Sequence, residues 1–366
     1  MKTDRLIFLD STRGLAALCV LLSHFIGAFS LPRESKFLDQ SIVHALWNGK
    51  GAVSYFFVLS GFVLSYSYFR SQTAFENLTY GDFLVKRVLR IYPVFLCTLF
   101  ISWICASYLF DVNKLNHLPE ATKWVQVFWK GKKNFFDLIK EGLLVVRLPQ
   151  DAEKRLINQD WTLTIEIIVS SLVPALILFY KRGVTWFIIS IAVLLRLHVD
   201  SWILDFGFGV LVAANAEKLV GLYLKLHIVL RILLAVVALI LFTNQFLFNL
   251  PGLISDLLVK IANSMILIFC ISSVSIQKVL SVKPLSFLGH ISYPFYLCHF
   301  IFIIIVAPKV FEIMRHNNIY DEYITRVVSL GVVFACTIFL SWALSELIEA
   351  PFIKISKKIL RHPTKT

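Results

Sequence analysis

A succession of apolar runs, each about as long as a lipid hydrocarbon core is thick, constrains this chain more than any other feature. Ten such runs, roughly 6–30, 51–69, 91–110, 161–180, 184–199, 202–215, 228–248, 256–275, 289–308 and 324–347, follow one another along 366 residues. A helix needs about 20 apolar residues to cross about 30 Å of hydrocarbon. The pattern therefore predicts an all-α, polytopic transmembrane helix bundle of about ten spans. The runs are continuous rather than alternating, which argues against a membrane β-barrel. The fifth and sixth are short, and are expected to be tilted, re-entrant or one broken hairpin around Asp200, giving eight to ten spans. With 58% apolar residues and only 16% charged, against roughly 25% in a soluble domain, a soluble enzyme, a disordered chain and a secreted disulfide scaffold are all excluded.

The net charge of +13 does not point to nucleic acid. There is no basic stripe with interleaved aromatics, and Lys and Arg gather at the ends of the apolar runs, as cationic cytoplasmic loops do. With the N-terminus in the cytoplasm, the cytoplasmic segments carry 17 Lys and Arg and the short external loops only 5. Both termini are thus expected in the cytoplasm. The charged stretch 111–160 is left out of that comparison because long loops obey the rule poorly. It is expected to be an external loop, with an amphipathic surface helix over Asp137–Leu148. The rest reads as a single transmembrane domain, residues 1–366, closing on a basic cytoplasmic tail at 350–366. The six cysteines sit unpaired inside apolar stretches and suggest neither disulfides nor metal ligands. Lys2, Arg5 and Ala28-Phe29-Ser30 also suit a signal sequence, but Arg13 interrupts the apolar core and the run is long for one.

An ionisable residue inside a span costs a few kcal/mol and needs a reason. The first run holds two, Arg13 and His24. Eleven residues put them about 16 Å apart along a helix and on nearly the same face, a cation near one surface and an imidazole deep in the membrane. A snorkelling arginine and a hydrogen-bonded core histidine would look the same. In the second run, Ser60-Gly61 between aromatics reads on its own as packing. Arg87 and Arg90 share a helix face at the cytoplasmic border, suited to phosphate or to plain anchoring. Glu166, just inside the fourth run after Trp161, is equally suited to holding an imidazolium, orienting a hydroxyl or pairing with an arginine. Arg196, His198, Asp205, His290, His299 and Glu346 are further candidates, with Pro294 able to break the helix before His299. No metal-ligand cluster, phosphate-binding P-loop or nucleophile elbow is present.

In order along the chain, these elements resemble the acyltransferase-3 family of integral membrane acyltransferases. Arg13-x10-His24, with Asp10-x-x-Arg13-Gly14-Leu15-Ala16, is similar to its first-helix signature. Val53 to Phe62, Arg87-x-x-Arg90-Ile91-Tyr92-Pro93, Trp161 to Glu166 with Pro174, Gly289 to His299, and Glu349-Ala350-Pro351-Phe352 resemble its later motifs. The chain departs from the family at Ser54 and Ile167, where acidic residues are common, which bears on acceptor specificity. The family's fused SGNH hydrolase-like domain is not seen in this sequence.

The resemblance implies acyl transfer, usually of acetyl, from cytoplasmic acetyl-CoA to a hydroxyl of a glycan or glycolipid in the bacterial inner membrane, without a metal. Arg13, Arg87 and Arg90 would bind the donor phosphates. His24 would be the general base, or less favourably carry an acyl-imidazole. Glu166 would stabilise the imidazolium or orient the acceptor, and Ser60, Trp161 and His299 would line the cavity. The expected partners are acyl-CoA, the acceptor and membrane lipids, with no nucleic acid. A glycan or lipid-linked-sugar exporter that consumes no acyl donor is the competing class.

Overall fold

The computed structural model describes residues 7–70, 79–131, 133–144, 153 and 155–359. Among them regular structure is helical and no strand occurs. All ten apolar runs are helices: α1 (Ile7–Phe29), α2 (Gly49–Arg70), α3 (Tyr80–Ile104), α4 (Asp160–Lys181), α5 (Val184–Arg196), α6 (Ile203–Ala214), α7 (Ile228–Phe242), α8 (Gly252–Ser272), α9 (Ser292–His316) and α10 (Glu322–Leu344). Seven are long and apolar enough to cross a membrane, α3 and α10 being prolonged through π-helical turns at Cys105–Leu109 and Ser345–Glu349. Helices α5, α6 and α7 have 13, 12 and 15 residues, short of the roughly 17–25 of a full span. Between α5 and α6 the chain turns at Asp200, whose carboxylate accepts the Trp202 N–H at 3.2 Å.

The chain forms two compact units, one of Met1–Val20, Phe37–Thr79 and Ile165–Gly289, the other of Leu21–Lys36, Tyr80–Thr164 and His290–Thr366. Helices α1 and α4 contribute residues to both.

In the first unit α2 and α6 touch backbone to backbone. A β-carbon on Gly61 would meet the Phe206 main chain, and one on Gly209 would meet the Val58 carbonyl and Gly61. Without a hydrophobic force between helices in lipid, such small-residue contacts supply the packing, so Gly61 does what its sequence setting suggested. Beside this crossing lies a buried polar cluster. The Ser54 hydroxyl donates to Asp205, whose other oxygen is 3.1 Å from the Lys260 ammonium. Asn263 donates to Ser54 Oγ at 2.9 Å and to the Gly51 carbonyl at 3.1 Å.

In the second unit α9 and α10 form a hairpin. Asp321 caps α10 by accepting the N–H groups of Tyr323 and Ile324. The apolar core includes Phe25, Phe29, Phe128, Trp129, Phe300 and Phe311. Two of these belong to the segment after α3, which is tied to the end of α1: Thr122 donates its N–H to the Ala28 carbonyl at 2.8 Å and its hydroxyl to the Gly27 carbonyl at 2.7 Å. Those are carbonyls a helix end leaves without intrahelical partners.

The amphipathic helix expected over Asp137–Leu148 runs instead over Phe135–Gly142. An Asn134/Asp137 capping box sets its start, and residues 145–148 lie outside the described residues. Its buried Glu141 accepts the N–H groups of Leu156 and Ile157 at 2.8 and 2.7 Å. Burial, with Asp160 adding to it, pushes the Glu141 carboxyl up to about 8. The basic tail begins as a helix over Ala350–Ile359; residues 360–366, like Lys2 and Arg5, lie outside the described residues. All six cysteines are free.

Candidate active site

Helix α1 is uninterrupted by proline and carries Asp10 in its first turn, where a carboxylate complements the helix dipole. Arg13 pairs with this Asp10 at 3.1 Å. Eleven residues on, about 16 Å along the same helix, stands the half-buried His24. Its Nδ1 is 2.8 Å from Nε2 of His299 on α9. The two rings lie 16° from parallel with centroids 5.1 Å apart. Trp124 approaches the His24 ring with a centroid distance of 5.7 Å, and Phe300 meets it edge-on at 5.4 Å.

His299 is fully buried, and its Nδ1 is 3.3 Å from the Phe295 carbonyl, one helical turn back. The turn carrying it is held from outside α9. Gln159 donates to the carbonyls of Tyr296 and Leu297 at 2.9 and 2.7 Å, and Tyr296 shares a 3.0 Å hydrogen bond with Thr162. The helix breaks as Pro294 suggests: one helix, Lys283–His290, ends there, Ile291 turns, and α9 starts at Ser292. Pro294 falls in the first turn of α9, where a missing N–H removes no intrahelical bond.

Arg87 and Arg90 lie on α3 one turn apart, Arg90 exposed and Arg87 partly so. This part of α3 is fastened to the start of α9, because the Tyr293 hydroxyl donates to the Ile91 carbonyl at 2.7 Å. Tyr293 precedes His299 by six residues, about 9 Å of helix rise. Trp161, half-buried, lies in the first turn of α4.

In the first unit, Ser60 donates to Glu166 at 3.3 Å. Each unit thus brings two of the sequence candidates together: Ser60 with Glu166, and His24 with His299. Of the further candidates, Asp205 is in the buried pair with Lys260, and His290 lies 2.9 Å from Glu346. Among the described residues no group of three or more His, Cys, Asp or Glu could hold a metal ion.

Sequence pattern alone does not single out Trp124, Gln159 or Phe300. The only sequence signal for Trp124 is the aromatic stretch Trp124, Phe128, Trp129 inside a charged loop.

The protein is a helical chain with, among the described residues, seven helices long and apolar enough to cross a membrane, the first of which carries a hydrogen-bonded imidazole. The family profile described as an acyltransferase domain matches residues 6–346, and the chain belongs to this acyltransferase-3 family. A stretch of 97 residues, 26% of the chain, is 35% identical to "Protein 2 in picA locus" of Rhizobium radiobacter and covers 43% of that protein, so the match spans less than half of the relative's length. No solved structure matches the chain.

Proposed function

We propose that this protein transfers an acetyl group from acetyl-CoA to a hydroxyl of a cell-surface glycan or glycolipid, with His24 as general base. The observation that carries the reading is the 2.8 Å contact of His24 Nδ1 with His299. It engages one imidazole nitrogen and leaves the half-buried ring to present the other. Such a base contributes about 10² to 10⁴ in rate. Family membership supports acyl transfer as the reaction class.

In this reading Arg87 and Arg90 take the nucleotide phosphates, which guanidinium groups bind in bidentate fashion. Arg13 stands at the start of the pantetheine path along α1, whose length to His24, about 16 Å, is on the order of that arm. His24 removes the proton from the acceptor hydroxyl as its oxygen attacks the thioester carbonyl. The carbon–sulfur bond breaks, the thiolate takes the proton from the imidazolium, and an O-acetyl ester remains. Glu166 and Ser60 are assigned to orienting the acceptor, and Trp161 to lining its cavity. Both termini face the cytoplasm, from the positive-inside asymmetry, and the setting is a bacterial inner membrane, in keeping with the source of the relative.

The test supplies purified protein with acetyl-labelled acetyl-CoA and a panel of surface glycans. Release of free thiol and label on a glycan are expected, and His24→Ala should abolish both at unchanged expression. Glycan binding with no donor consumption by the unaltered protein would overturn the reading in favour of an exporter.

A further inference from the structure

We infer that His299 is the positioning residue of His24, holding it in the tautomer with the proton on Nδ1 and the lone pair on Nε2, so that Nε2 is the atom that receives the acceptor's proton. The inference rests on the reading of His24 as the base.

The Phe295 carbonyl can only accept, so the 3.3 Å contact from His299 Nδ1 is a hydrogen bond when that nitrogen carries the hydrogen. The reverse tautomer would set a nitrogen lone pair against the carbonyl lone pairs. With its proton on Nδ1, neutral His299 has a bare Nε2. The 2.8 Å contact between this atom and His24 Nδ1 then needs its single hydrogen from His24. A neutral His24 donating from Nδ1 is left with an unprotonated Nε2. The hydrogen bond made by one ring nitrogen thus decides the state of the other.

The geometry agrees at each step. A head-on N–H···N bond of this length sets the two ring centroids about 5 Å apart, and these are 5.1 Å apart. His299 cannot easily turn away: it is fully buried, and its helical turn is held by Gln159 on the carbonyls of Tyr296 and Leu297. Trp124 and Phe300 pack around the His24 ring. Among the described residues none hydrogen-bonds His24 Nε2. A free imidazole side chain favours the proton on Nε2, so the pairing inverts the intrinsic preference and exposes a nitrogen that would otherwise be occupied. His299 therefore acts on the reaction through His24 rather than as a wall of the substrate cavity.

The test is direct. Full-length protein labelled with 15N-histidine, in lipid nanodiscs, reports the state of each ring nitrogen, with a His24→Gln sample assigning the His24 signals. His24 is expected with Nδ1 protonated and Nε2 bare, moving toward the opposite tautomer in His299→Phe. In the acetyl-transfer assay His299→Phe should lower kcat by about 10² to 10⁴-fold at unchanged KM for the donor. His299→Gln, whose side-chain oxygen can accept in place of Nε2, should recover to within about tenfold of the unaltered protein. A structural role alone would not give this rescue, nor confine the loss to kcat. A wild-type His24 protonated on Nε2, or a Gln variant as slow as the Phe variant, overturns the inference while His24→Ala remains inactive. Full turnover by His24→Ala would instead remove the base reading itself.

Discussion

The Asp205 carboxylate and the Lys260 ammonium lie 3.1 Å apart with 0% and 9% of their side chains exposed. The two come from α6 and α8, and Ser54 on α2 donates to the same carboxylate. Ionisable residues at such depth are tolerated when each has its partner. Removing one partner leaves a buried charge uncompensated, which costs about 3–5 kcal/mol. Asp205→Asn and Lys260→Met are each expected to lower the thermal stability of the detergent-solubilised protein sharply. The double variant should be more stable than either single one, because no orphaned charge remains.

The crossing of α2 and α6 makes a steric prediction. Gly61 and Gly209 each face main chain where a β-carbon would stand. Gly61→Val should force the helices apart and destabilise by about 1–3 kcal/mol. Gly221, which faces open space, should accept alanine with little change. Thermal unfolding of the two variants side by side checks both.

Glu141 gives the segment leading into α4 a pH dependence. Its folded carboxyl titrates at about 8 against 4.5 for the ordinary group, so between these values the folded state holds more protons than the unfolded one. The stabilisation is complete below about pH 4.5 and is lost as pH rises toward 8. Protection of the Leu156 and Ile157 amides in hydrogen–deuterium exchange should fall across that window, by at most about tenfold per pH unit beyond the intrinsic rate. Glu141→Gln should flatten the trend.

Arg87 and Arg90 should matter for donor affinity rather than chemistry. A charge-assisted hydrogen bond is worth about 1.5–3 kcal/mol. Arg87→Gln and Arg90→Gln are each expected to raise the KM for acetyl-CoA by roughly 10- to 100-fold, with kcat little changed. Lysine at either position should recover only part of the loss, since it lacks the planar fork. Steady-state kinetics with varied donor decides.

Much of the architecture was legible because hydropathy is a local property. All ten apolar runs are helices, and the runs at 184–199 and 202–215 are the short pair that their length announced. Gly61 could be read as packing from its aromatic neighbours. What stayed hidden depends on residues distant in sequence. Lys260 is a single cation in an apolar helix, and its meaning lies in Asp205, 55 positions earlier. His299 bonds to a ring 275 residues away, which no local pattern encodes. Trp124 sits in a charged loop with no periodicity, and nothing local ties it to α1. Helix ends were also missed where a side-chain cap decided them, as Asn134 does for Phe135–Gly142.

The bonds from Thr122 to the Gly27 and Ala28 carbonyls, with Trp124 against His24, carry a practical consequence for chimaeras. A graft that exchanges residues 110–131 between relatives would replace part of the packing around the His24 ring, not a passive tether. An epitope inserted there to map membrane sidedness would disturb the end of α1 and the ring packed on it. Reporters belong elsewhere, for instance in the Asn317–Tyr320 turn between α9 and α10.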